Sequence, residues 1–290
     1  MNRLIVLTTV LICHATFGHI LQITTDAAVG GRTYAVEASG TVPAPAADGL
    51  QLMPNWPQHV GVGPMYRPVG VTLADLNGDD TMVIIAGGTD NILHVWNYHG
   101  SELAGWPQTL SGAIQSKVAV GDIYADGRMF LVCATRDGNV HVRKTDGGSL
   151  AGWPRNAGGN GGLVSPTLFD IDGNDTLEII AVQYPPGTVY VWRHDGTVYT
   201  GWPKTTDYLA VATASVGDVD ADGVVEICVP SYRSLYLWDK NGNLEPGWPI
   251  NLGDGASYAQ PALYDIDNDG RLEIAHACYP NLGNGRVYLF

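Results

Sequence analysis

The chain has 290 residues, 45% of them apolar and 15% charged, a balance that excludes an intrinsically disordered protein. Its 15 basic and 29 acidic side chains leave a formal charge of −14, which repels nucleic acid and anionic membrane surfaces. The 37 glycines point to many turns and short elements.

In chain order, Met1-Asn-Arg3 and the apolar run Leu4–Cys13, with small residues near Ala15 and Gly18, predict a secretory signal peptide over 1–18. That run is too short for a membrane-spanning helix, and no later stretch is longer, so no membrane insertion is expected. The expectation is a soluble exported protein, secreted or at the cell surface, with the periplasm as the other compartment. Residues 19–49, with Thr41-Val-Pro-Ala-Pro-Ala-Ala-Asp48, read as an N-terminal extension and linker. Residues 50–290 read as one domain.

An acid-rich stretch organises that domain. Asp75-Leu-Asn77-Gly-Asp79, Asp122-Ile-Tyr124-Ala-Asp126, Asp170-Ile-Asp172-Gly-Asn174, Asp218-Val-Asp220-Ala-Asp222 and Asp265-Ile-Asp267-Asn-Asp269 place their first aspartates 47, 48, 48 and 47 residues apart. Such a period marks a repeat architecture. One full unit contains the apolar segments Val164–Ile171, Leu177–Val182, Thr188–Trp192 and Tyr199–Trp202. Turn clusters such as Tyr184-Pro-Pro-Gly187 and His194-Asp-Gly196 separate them, and no helical period is present. Four strands per unit predict an all-β fold: a β-propeller of four-stranded blades with about five repeats.

Trp56, Trp106, Trp153, Trp202 and Trp248 each precede a proline, and Trp96, Trp192 and Trp238 end the third segment of their units. Arg143 and Phe290 hold that second column in the other two units. A ring recurring once per blade is expected to fill the joint between neighbours; a circle of sugar-stacking platforms is the competing reading. The fifth unit offers strands over 260–266, from Leu272, and up to Phe290, without a Gly-Trp-Pro segment. Leu50–Pro57 is an orphan copy of that missing segment, expected to complete the last blade and close the ring. The alternative is a fragment of a larger propeller.

The acid-rich stretch has the chemistry of a calcium loop. Ca²⁺ takes six to eight oxygens, and side chains at positions 1, 3 and 5 of a tight loop converge, with the position 7 carbonyl behind them. The three intact loops offer Asp170, Asp172, Asn174, the Thr176 carbonyl and Glu178; Asp218, Asp220, Asp222, the Val224 carbonyl and Glu226; and Asp265, Asp267, Asp269, the Arg271 carbonyl and Glu273. Eleven of the 29 acidic residues stand at these ligand positions, a density that demands a cation. An EF-hand is excluded, because position 12 carries Ala181, Val229 or His276 rather than Glu and the chain runs on into a strand. The first loop keeps Asp75, Asn77 and Asp79 but has Val83 at position 9, so a weak extra site is the most it offers. The second has Tyr124 and Phe130 in ligand positions and is expected to be empty. Three structural Ca²⁺ ions are therefore expected, with affinities of roughly 10⁻⁴ to 10⁻³ M.

On these loops the chain resembles the FG-GAP or VCBS repeat family of calcium-binding propellers, found in integrin α subunits and in secreted bacterial proteins. The resemblance runs from Leu50 to Phe290. Integrin repeats are longer and carry Phe-Gly and Gly-Ala-Pro signatures, which are not evident in this chain, so integrin ligand recognition is not carried over. The Gly-Trp-Pro column resembles the secreted bacterial branch instead.

Cys133, Cys228 and Cys278 follow their loop aspartates on the same apolar run of different units and are expected to be free and buried. His59, His94, His99, His141, His194 and His276 fall on strands or in turns, and neither Gly-x-Ser-x-Gly nor His-Glu-x-x-His occurs. The expected function is a binding or adhesion module for an extracellular protein or glycan, monomeric and not an enzyme. A multivalent lectin is the alternative, and a propeller-type polysaccharide lyase or glycosidase a further one. The connections at 87–90, 136–138, 184–187, 231–234 and 279–283 differ strongly in chemistry, which suits one asymmetric partner better than repeated sugar sites.

Overall fold

The computed structural model describes residues 53–61, 70–158, 164–185, 187–210, 212–253, 255–256, 258–280 and 285–290. The expected signal peptide, the expected linker and the start of the orphan segment lie outside the described residues.

The described residues form five four-stranded antiparallel sheets and no helix. Blade 1 is β1 (Val71–Asp75), β2 (Met82–Gly87), β3 (Ile92–Trp96) and β4 (Gln108–Thr109); blade 2 is β5 (Ala119–Gly121), β6 (Phe130–Ala134), β7 (Asn139–Lys144) and β8 (Arg155–Asn156). Blade 3 is β9 (Thr167–Phe169), β10 (Glu178–Val182), β11 (Thr188–Trp192) and β12 (Lys204–Thr205). Blade 4 is β13 (Ser215–Gly217), β14 (Glu226–Pro230), β15 (Ser234–Asp239) and β16 (Ile250–Asn251). Blade 5 holds β17 (Gly255–Ala256), β18 (Ala262–Tyr264), β19 (Glu273–Pro280) and β20 (Arg286–Leu289). This is the expected propeller-like array.

The second strand of each inner blade is apolar on both faces because both faces are covered. β6, β10 and β14 are buried at every residue. Four core clusters lie one in each joint between consecutive blades, as where Ile180, Val189 and Val191 of blade 3 meet Ile227 and Val229 of blade 4. Each such side chain contributes about 1.5–3 kcal/mol by leaving water. At two joints the backbone comes close. A Cβ on Gly217 would stand 2.7 Å from Leu272 Cδ1, and one on Gly121 3.0 Å from Leu168 Cδ1.

The tryptophans tie the joints, as expected. Trp153 meets Trp192, Trp202 meets Trp238, and Trp248 meets Phe290, edge to face with centroids 5.7–6.0 Å apart. The indole Nε1 of Trp106, Trp153 and Trp202 donates to the carbonyl of Thr145, His194 and Lys240 in the next blade, at 2.8–3.0 Å. All five Trp–Pro bonds are cis. Trp106, Trp153 and Trp202 are buried, as are Trp96, Trp192 and Trp238, so these rings are unavailable as sugar platforms.

Three details depart from expectation. Tyr199–Trp202 is a turn, closed by Trp202 N–H to the Tyr199 carbonyl, and the fourth strand is Lys204–Thr205 beyond Pro203. Gly201 at φ +91° turns the chain before the proline, which places the two-residue ladder after it. Blade 5 takes β17 as an extra strand beside the end of β19. Residues 53–61 lie against blade 1, with Trp56 edge to face on Trp96 and its Nε1 donating to the Tyr98 carbonyl. Among the described residues no ladder joins this segment to β20, which pairs with β19.

Cys133, Cys228 and Cys278 are free and buried, and burial pushes the Cys133 thiol up to about 12. His94 pairs with Glu102 (Nδ1 to Oε1, 2.5 Å) and stacks on Trp96. His141 is buried beside Ser111, Nε2 to Oγ 2.9 Å, and burial lowers it to about 4, so its imidazole is neutral.

Candidate metal centres

All five acidic loops share one backbone. Positions 4 and 6 have positive φ in every loop, including Ala125 and Ala221, residues that reach this region only when the surroundings hold them there. The reversals aim successive N–H groups at the position 1 carboxylate. Asp80, Gly127, Asp175, Gly223 and Gly270 at position 6 each donate to Oδ2 of Asp75, Asp122, Asp170, Asp218 and Asp265, at 2.6–3.0 Å. The backbone N–H of Thr176, Val224 and Arg271 donates to Asn174, Asp222 and Asp269 at position 5. In every loop the position 1 aspartate and the backbone hold the turn together through these bonds.

The acids then divide the loops. Asp170, Asp172 and Glu178 bring carboxylate oxygens within 4.8 Å of one another, as do Asp218, Asp220 and Glu226, and Asp265, Asp267 and Asp269. Glu178 is 0% exposed: its Oε2 accepts from Ile171 N–H at 3.1 Å, while its Oε1 is buried without a partner. Asp172 Oδ1 is likewise buried and unpartnered. Burial, then the charges of Asp172 and Asp170, push the Glu178 carboxyl up to about 7. Glu226 repeats the pattern, with Oε2 on Val219 N–H at 2.8 Å and a carboxyl raised to about 7 by burial and then by Asp220, Glu245 and Asp218. Oxygens so crowded and underbonded fit a hard, oxygen-seeking cation. In the fifth loop Glu273 makes the same bond, to Ile266 N–H at 2.7 Å, but stays half-buried. No following blade covers it among the described residues, and Asp269 completes its trio instead.

The weaker loops differ as their sequences imply. Asp75 is 3% exposed and Asn77 Nδ2 donates to Asp79 Oδ2 at 2.9 Å, but the buried Val83 stands where the other loops have Glu. In the second loop Arg128 supplies the positive charge. Its Nε donates to Asp126 Oδ1 and Oδ2 at 3.0 and 2.9 Å, its Nη2 also meets Oδ2, and its guanidinium lies 5.5 Å from the Tyr124 ring. The ion pair holds the Asp126 carboxyl below its ordinary value.

Two neighbours of the centres escape a reading confined to the loops. Tyr199 donates its hydroxyl to Asp172 Oδ2 at 3.3 Å. Glu245 is raised by burial, then by Asp220, Asp239 and Asp222. Each stands three residues before the tryptophan of its Gly-Trp-Pro, and the two blades with degenerate loops have Leu103 and Leu150 there. Polar character in that column follows the intact loops.

A family model described as FG-GAP-like repeat matches residues 230–276, a window that contains the whole fifth loop and Trp248. The C-terminal domain of Pseudomonas aeruginosa PilY1 is similar in fold, at TM-score 0.55 and 11% identity, covering 77% of this chain and 70% of that one. BamB from Moraxella catarrhalis (TM-score 0.48, 16% identity) covers 76% and 60%, and the V. cholerae biofilm matrix protein Bap1 (0.49, 16%) covers 76% and 41%. A curated relative, the rhamnogalacturonan endolyase YesW of Bacillus subtilis (strain 168), is 35% identical over 98 residues. The chain spans 15% of that relative's length, and the match takes in 25% of this chain.

Proposed function

We propose that the protein is an exported, calcium-stabilised propeller that binds an extracellular polymer, protein or glycan, through the end of the array opposite its metal loops. Calcium is assigned to three centres. Asp170, Asp172, Asn174 and Glu178 with the Thr176 carbonyl form the first; Asp218, Asp220, Asp222 and Glu226 with that of Val224 the second; Asp265, Asp267, Asp269 and Glu273 with that of Arg271 the third. The buried, unpartnered Oε1 of Glu178 supports this reading most directly. Asp75, Asn77 and Asp79 hold an ion weakly at most. Export rests on residues 1–18, and N-terminal sequencing of the secreted protein checks it.

Because strands alternate in direction, the loops joining second to third strands lie at the other end from the metal. There the blades diverge. Between blades 3 and 4, Tyr208, 44% exposed, packs 5.4 Å from Tyr232, and Arg233 lies 5.2 Å over the Tyr208 ring. Two rings and a guanidinium suit a sugar face or an extended peptide. The loops at 136–138 and 184–187 do not repeat this set, and blade 5 has Tyr279 but Pro280 in place of Arg233, which favours one asymmetric ligand over a lectin of equal sites. A second reading draws on the endolyase relative: a pectic polysaccharide as the ligand, or as a substrate cleaved by elimination.

A glycan array including rhamnogalacturonan, run beside a panel of matrix proteins, tests this with the calcium-loaded chain. Binding lost in Tyr208→Ala and Arg233→Ala supports it; binding untouched by both places the ligand elsewhere. Release of unsaturated sugar ends would move the protein to the lyase class.

A further inference from the structure

Two side chains outside the acidic loops reach them from one shared place in the blade. Leu103, Leu150, Tyr199 and Glu245 each stand three residues before the tryptophan of a Gly-Trp-Pro. Their backbone N–H groups donate to the Val95, Val142, Val191 and Leu237 carbonyls, in the third strand of the same blade, at 2.8–3.0 Å. The character of this column matches position 9 of the loop in its own blade. Leu103 and Leu150 pack in the apolar clusters that contain Val83 and Phe130, whereas Tyr199 and Glu245 accompany Glu178 and Glu226.

In blade 3 the contact is a hydrogen bond. Tyr199, 6% exposed, donates its hydroxyl to Asp172 Oδ2 at 3.3 Å. Asp172 Oδ1 and Glu178 Oε1 are buried without a hydrogen-bond partner among the described residues. A carboxylate held at one oxygen has its other oxygen fixed in direction, which is how an outer hydrogen bond orients a metal ligand. The Arg193 guanidinium lies 4.5 Å over the Tyr199 ring, so this centre already has a positive group behind it.

In blade 4 the same place carries a carboxylate. Glu245 is half-buried, and in its ionised form it has no hydrogen to donate to Asp220, the counterpart of Asp172. It stands close enough to Asp220, Asp222 and Glu226 for their charges to act on one another. Asp239 takes the place of Arg193 behind it, with Asn243 N–H and Nδ2 donating to its two oxygens at 2.8 and 2.9 Å. The charges that act on Glu245 are thus all negative: Asp220, Asp239 and Asp222. Such a gathering of one sign fits a bound cation among the acids.

We propose, resting on the calcium assignment above, that this column makes two of the centres unequal: Glu245 is a further ligand of the blade 4 ion, and Tyr199 is a positioning residue that aims Asp172 at the blade 3 ion. The blade 4 centre then offers five carboxylates, from Asp218, Asp220, Asp222, Glu226 and Glu245. The blade 3 centre offers three, from Asp170, Asp172 and Glu178, with the Asn174 amide. Charge count and rigidity set affinity in oxygen-ligand sites of this kind. The blade 4 centre therefore fills first, and it gains more than the blade 3 centre when a trivalent ion replaces Ca²⁺. The blade 3 centre depends instead on the orientation of its few carboxylates.

Calcium calorimetry and native mass spectrometry of the full chain test this with two variants of nearly unchanged shape, read well below the melting temperature, where a loss of stability alone leaves affinity unmoved. Glu245→Gln should weaken one site by about tenfold or more, lower its preference for Tb³⁺ over Ca²⁺, and leave the other sites as they were. Tyr199→Phe should weaken a different site by about tenfold. In an Asp220→Ala background, which lacks the blade 4 ion, Glu245→Gln should have no further effect, while Tyr199→Phe keeps its own. A wild-type chain that binds its ions, with every affinity unchanged in Glu245→Gln, overturns the ligand role; the same result in Tyr199→Phe overturns the positioning role. A wild-type chain that binds no ion defeats the calcium assignment itself and this proposal with it, an outcome distinct from the other two.

Discussion

Glu178→Gln should stabilise the fold without calcium and lose that advantage with it. The Glu178 carboxyl sits at about 7 in place of its ordinary 4.5 because it is buried beside Asp172 and Asp170. At pH 7.5 a shift of that size corresponds to about 2–3 kcal/mol lost by the metal-free fold. Gln keeps an oxygen for Ile171 N–H and turns an amide toward the two aspartates, which removes the cost. In chelator the variant should melt roughly 5–10 °C above wild type, given about 2–4 °C per kcal/mol for a chain of this size. In calcium at about 100 times the dissociation constant, each intact site adds about 2.7 kcal/mol, and the variant forfeits one of them, which cancels its gain and brings the two melting temperatures together. Scanning calorimetry in chelator and in about 10 mM calcium reads the gain and its loss. A variant less stable than wild type by the same amount in both buffers would refute the reasoning, since Glu178 would then be a hydrogen-bond acceptor and nothing more.

Other outcomes follow from the same geometry. Glu178 and Glu226 are raised in the fold, so the native metal-free protein holds protons that the unfolded chain has lost. Stability in chelator should therefore fall as pH rises from about 4.5 to 7 and level off above, while calcium reverses the slope; melting curves across that range check it. Arg128→Ala should lower the melting temperature equally with and without calcium, because the guanidinium serves a loop without an intact acid set; a loss confined to calcium buffer contradicts this. Gly217→Ala puts a Cβ 2.7 Å from Leu272 Cδ1 and should cost about 1–3 kcal/mol in denaturant titration.

Much of this was legible in the chain. The spacing of Asp75, Asp122, Asp170, Asp218 and Asp265 implied the blades, and the tryptophan columns implied the joints, because both recur at one position per unit. Loop ranking followed from position 9, where Val83 and Phe130 replace an acid. The fourth strand was misplaced by a few residues because two residues of ladder after Trp–Pro carry no pattern of their own. Tyr199 and Glu245 were missed because they reach the metal loops from another turn of the blade, which spacing within a loop does not reveal. The role of Arg128 depends on a side-chain trajectory from position 7, where a backbone carbonyl was the expected donor.

The account turns on three of five similar loops holding a cation. Native mass spectrometry of the calcium-loaded chain counts the ions directly. Three bound Ca²⁺, falling to two in Asp220→Ala, is the predicted result; none, or five lost together, would contradict it.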